Sequence, residues 1–104
     1  MEALDRIGQL RPSDWAAILR VVRRLQVGSA RWEEAWLAAR SGHAAAVAAQ
    51  SRALQAGASP AAAAALAGAT AALEARDQLS NDQFELLVRP GRSILRPPGI
   101  ELAA

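Results

Sequence analysis

Alanine is the residue that most constrains this chain: 27 of its 104 residues are Ala, concentrated between Ala44 and Ala75. Alanine has the best intrinsic helix propensity, because it loses no side-chain rotamer freedom and competes with no backbone hydrogen bond. Tyrosine is absent and the β-branched residues form no alternating run, so nothing in the chain specifies a strand. The expectation is an all-α protein.

The same feature thins the core. Hydrophobic residues make up 52% of the chain, but only 27 of them are larger than alanine: 13 Leu, 5 Val, 4 Ile, 3 Trp, one Phe and one Met. A buried methyl contributes about 0.8 kcal/mol, against roughly 1.5–3 kcal/mol for a buried Leu or Phe side chain. The length suits one domain with one core, and a core this lean favours help from a partner chain.

Punctuation divides the chain at Pro12-Ser13, Gly28-Ser29, Gly57-Ala58-Ser59-Pro60, Ser80-Asn81 and Arg89-Pro90-Gly91. A short helix over Ala3–Leu10 is allowed by the spacing of Leu4, Ile7 and Leu10. The first clear helix is expected from Asp14 to Gln26, capped by Ser13 and stopped by Gly28, with Trp15, Ile18, Leu19, Val22, Leu25 and Gln26 on one face and Arg20, Arg23 and Arg24 on the other. A second starts near Ala30. Its stripe of Trp32, Trp36, Ala39, His43, Ala46, Val47, Gln50 and Leu54 passes through Gly42, so one helix to Ala56 and a break at Ser41-Gly42 both satisfy the pattern.

Ser59-Pro60 is an N-cap followed by proline at the first helical position, the strongest start signal here, and opens a helix running to about Leu79. Ala62, Ala65, Ala69 and Ala72 along it permit close approach of another helix, and the short preceding loop predicts an antiparallel hairpin with the second helix. Ser80-Asn81-Asp82-Gln83 matches a capping box and precedes a short helix over 82–88. Beyond Arg89-Pro90-Gly91, Pro97-Pro98 favour an extended path. The expected organisation is a bundle of three or four helices over residues 1–91 and an extended Pro-rich arm over 92–104.

Composition removes several chemistries. There is no lysine, hence no Schiff base and no P-loop lysine, and no cysteine, hence no disulfide, thiolate nucleophile or Cys-ligated metal. All twelve basic residues are Arg and the net charge is only +2, so the charge balance alone does not point to nucleic acid. The stretch 53–73 is uncharged but Ala-dominated and broken by Gln55, Gly57, Ser59 and Pro60, which argues against a membrane span. The opening MEALDRIGQL lacks the basic start and apolar run of a signal peptide, so a cytoplasmic setting is expected.

The lone His43 has Ala39, Arg40, Ala46 and Val47 as helical neighbours, none able to share a metal with it, and reads as a packing residue. Glu33 and Glu34 point apart, and Asp82 and Glu85 suit a first helical turn. The serines before each helix are occupied as caps. No catalytic set, cofactor or metal site is expected. Helix-turn-helix readings centred on Gly28 or Gly42 fail, the first because Arg24 falls where a small packed residue is usual, the second because HAAAVAAQSRALQ offers few base-edge donors.

What remains is recognition. The expected function is a non-catalytic interaction module, self-associating as a homodimer, with Trp32 or Trp36 and the tail residues Arg89, Arg92, Ile94, Leu95 and Arg96 as candidate partner contacts. The alternative is nucleic-acid binding through Arg11, Arg20, Arg23, Arg24 and Arg31, where Asp14 is the only acid in the segment, provided this basic face meets the tail arginines in space.

Overall fold

Serine hydroxyls mark where most of the helices start. Ser29 Oγ accepts from the Trp32 amide at 3.3 Å and Ser59 Oγ from the Ala62 amide at 3.2 Å. At Ser80 the hydroxyl accepts from the Gln83 amide at 3.2 Å while the Gln83 side chain accepts from the Ser80 amide at 3.1 Å, a reciprocal box. In the computed structural model, which describes residues 7–95, the helices are α1 (Pro12–Arg24), α2 (Ala30–Ala38), α3 (His43–Gln55), α4 (Pro60–Glu74) and α5 (Asn81–Leu95). Single 3-10 turns occupy Ile7–Gln9, Arg40–Gly42 and Arg76–Gln78. The described residues are all-helical and contain no strand, with five α-helices where three or four were expected.

Helix α1 starts earlier than Ser13 predicts. Proline sits at its first position, as it does in α4, and the cap is Arg11, whose amide donates to the Asp14 carboxylate at 2.9 Å. At the other end Gln26, not Gly28, is the first residue to leave the helix through a left-handed conformation, with φ 55°; Gly28 follows at φ 89° and turns the chain into α2.

The second helix of the sequence reading is two. It breaks at the Arg40–Gly42 turn, where Gly42 lies directly on the backbone of Ala71 in α4 and a Cβ would overlap the Ala71 carbonyl. Helix α5 departs furthest from expectation. Instead of stopping at Val88 it continues through Pro90 and Gly91 to Leu95. Interior proline costs a helix about 3 kcal/mol or more. Burial of Pro90, and of Ile94 at 0% exposure one turn later, offsets that, since an Ile side chain alone returns roughly 1.5–3 kcal/mol. Residues 92–95 of the expected arm are therefore the last turn of α5, and 96–104 lie outside the described residues, as do residues 3–6 of the short helix expected over Ala3–Leu10.

Helix α4 is the axis of the molecule: nine of its fifteen residues are buried, all Ala, Gly or Thr except Leu66. It packs most extensively against α3 and α5. Gly42 and Ala46 at the start of α3 meet Ala71 near the end of α4, while Ala53 shares a core with Ala58 and Ala62, so the predicted hairpin is antiparallel. In α5, Leu87 and Val88 pack with Ala72 and Ala75 and Ile94 with Ala62 and Ala65, so α5 is antiparallel to α4 as well. Among the described residues, thirteen of the 23 buried apolar side chains are alanine. Larger side chains fill the two ends: Ile7, Trp15, Ile18, Val22 and Ile94 at one, Trp32, Leu79, Leu87 and Val88 at the other.

Candidate interaction surfaces

Two surfaces stand out. The first is carried by α2 and α3. Trp32 is 4% exposed and inserts against Gly68, where a Cβ would lie 2.6 Å from its ring. Trp36 stacks on it with ring centroids 5.6 Å apart, and His43 stacks on Trp36 at 4.6 Å. The His43 Nε2–H donates to the Trp36 carbonyl at 3.0 Å, which fixes the ring across the α2–α3 break. His43 is thus half-buried packing, as its neighbours in the sequence suggested.

From this stack the stripe turns outward. Trp32, Ala39 and Ala46 point into the core, whereas Trp36, His43 and Gln50 are half-buried, Val47 is 63% exposed and Leu54 is 46% exposed. The result is a ridge, Trp36–His43–Val47–Gln50–Leu54, at successive spacings of three to seven residues along one helical side. Helix α3 carries a single charged residue, Arg52. Leu37 on α2 and Leu73 on α4 are also more than half exposed.

The second surface joins two basic segments that are far apart in sequence. Arg24, Leu25 and Gln26 from the end of α1 and Leu86, Arg89 and Pro90 from α5 line one groove of about 210 Å³. Arg24 and Arg89 are exposed, and no carboxylate among the described residues pairs with either. The provision attached to the nucleic-acid alternative, that the Arg11–Arg31 face meet the tail arginines, is met at this groove for Arg24 and Arg89.

The other candidates divide. Trp32 and Ile94 are buried in the core and cannot touch a partner without unfolding their surroundings; periodicity marked them as apolar positions, not as outward ones. Trp36 keeps an accessible edge. Arg92 is exposed but bound to Glu85 at 3.1 Å. Leu95 ends α5, and Arg96 lies outside the described residues. Arg11 is engaged with Asp14, Nε to carboxylate at 3.3 Å, and the amide and guanidinium of Arg11 hold the Asp14 carboxyl below the usual aspartate value. Arg20, Arg23 and Arg31 are exposed and unpaired among the described residues. Val47 and Leu54 were legible only as members of an apolar stripe, and the stripe is wider than the contact α3 makes with α4.

Among the described residues, no three His, Asp or Glu side chains converge as a metal site would require, and no helix is long and apolar enough to cross a membrane. No protein-family model matches the chain, and neither a curated protein nor a solved structure matches it.

Proposed function

We propose that this chain is a non-catalytic helical interaction module that self-associates through the α2–α3 ridge. One observation carries the reading: Val47 and Leu54 stand 63% and 46% exposed on a helix whose inward face is alanine. Large apolar side chains at the surface of a lean bundle, on a face nearly free of charge, mark a protein contact. A two-fold contact uses the same patch from both copies, so four such side chains leave water together. At about 1 kcal/mol each for their exposed fractions, they supply roughly 4 kcal/mol before Trp36 is counted.

Light scattering during size-exclusion chromatography tests the proposal. The wild-type chain should approach the mass of two chains as its concentration is raised to about 1 mM, the dissociation constant that about 4 kcal/mol corresponds to, and the Val47→Asp/Leu54→Asp variant should keep the mass of one, at unchanged helicity by circular dichroism. A wild-type monomer, or a variant that stays paired, overturns it.

A further inference from the structure

The groove between α1 and α5 combines three departures from ordinary helical structure. Gln26 is the one non-glycine residue among those described with positive φ, at 55°, a conformation that costs a side-chain-bearing residue about 1–2 kcal/mol. Pro90 interrupts the backbone ladder of α5: it has no N–H, so the Leu86 carbonyl lacks its helical partner. Arg24 and Arg89, on different helices, present guanidinium groups with no carboxylate of the described residues against them. All of these residues line the same groove, and its remaining wall is the apolar side of Leu25 and Leu86, with Pro90 buried behind them.

We infer that this groove binds a peptide segment of a partner protein in which a carboxylate side chain is flanked by apolar ones. The two arginines, the Leu86 carbonyl and the apolar wall each have a complement in such a segment. The two guanidiniums clamp the carboxylate, for which a planar fork of donors is suited. A peptide N–H donates to the Leu86 carbonyl, and a neighbouring apolar side chain covers the half-buried Leu25 and Leu86. The volume of about 210 Å³ is below the roughly 300–1,000 Å³ of small-molecule pockets and suits one side chain and its neighbour. A nucleic-acid strand fits less well, because its phosphodiester backbone presents acceptors and brings nothing to the Leu86 carbonyl or to an apolar wall. None of the lining residues belongs to the α2–α3 ridge, and the site stands whether or not the ridge pairs two copies.

The probe is the blocked tripeptide acetyl-Leu-Glu-Leu-amide, titrated into the full chain while the arginine Nε–H signals are followed by NMR. The signals of Arg24 and Arg89 should move together and saturate at millimolar peptide. Replacing the central Glu by Gln should weaken binding roughly tenfold, the cost of a lost charge-assisted hydrogen bond. In Arg24→Gln/Arg89→Gln, two substitutions at exposed positions whose melting temperature and solution mass are compared with wild type, the peptide-induced shifts of the Leu25, Gln26 and Leu86 backbone amides, present in wild type, should vanish. No shift at 10 mM peptide, equal binding of the Gln peptide, or tighter binding of inorganic phosphate or a single-stranded oligonucleotide overturns the inference. So does occupation of the groove by the chain's own Ile100-Glu101-Leu102, which would show as arginine signals that move on Glu101→Gln and ignore added peptide.

Discussion

Moving one methyl group across the α4–α5 contact tests the close packing on which this fold rests. Gly91 is helical, and a Cβ placed on it would lie 2.5 Å from Ala69 Cβ, about 0.9 Å inside ordinary contact at 3.4 Å, with the next atoms at 3.6 and 3.9 Å. Gly91→Ala alone gains about 1 kcal/mol of helix propensity and incurs an overpacking cost of about 1–3 kcal/mol, a net loss of up to roughly 2 kcal/mol. Ala69→Gly alone forfeits about 1 kcal/mol of propensity and part of the 0.8 kcal/mol or so of a buried methyl, a loss near 1.5 kcal/mol. In the double variant the propensity terms cancel, the overlap is gone and one methyl still fills the interface, so stability should return to within about 0.5 kcal/mol of wild type, the scatter expected of independent sites. Urea unfolding followed by tryptophan fluorescence gives all four values. A double variant as unstable as the sum of the singles would mean that α5 does not lie on α4 at Gly91, and the helix through Pro90 would be wrong.

Two further outcomes follow from the termini of the helices. Ser59→Ala should cost about 1 kcal/mol, as loss of an N-cap does, while Ser13→Ala should leave urea unfolding unchanged to within about 0.5 kcal/mol, because Ser13 lies inside α1 and caps nothing; equal losses would restore Ser13 as the cap. The Asp14 carboxyl is held below its ordinary value of 3.8 by the Arg11 amide and guanidinium, so its charged form stabilises the fold in full above that pH and the contribution is lost as the pH falls through the lowered folded value. The stability advantage of wild type over Asp14→Asn should therefore be present at pH 7 and shrink by pH 2, and an advantage that persists undiminished in acid would refute the Arg11–Asp14 contact.

Local chemistry made much of this molecule readable from its residues. Alanine content set the helical class, and the Ser29, Ser59 and Ser80 caps marked three helix starts, because a cap is completed by atoms within three residues of it. The inward face of α1, with Trp15, Ile18 and Val22 buried and Arg20, Arg23 and Arg24 outside, followed from the 3.6-residue period. Even the α1 start at Pro12 obeyed the rule already visible at Pro60.

Neighbours in space were not readable in the same way. Gly42 sits at the α2–α3 break with the Ala71 backbone in the place of a side chain, and Pro90-Gly91, a stop by local rules, continues as helix against Ala69 of α4 and a shared core. Periodicity says which residues share a side of a helix, and it is silent on how much of that side another helix covers. Val47 and Leu54 shared a stripe with Trp32 and Ala46 and stand in solvent, while Arg24 and Arg89, separated along the chain by three helices, line one groove. Those placements depend on the packing of α4 against its neighbours, which is a property of helix surfaces brought together and of no single segment.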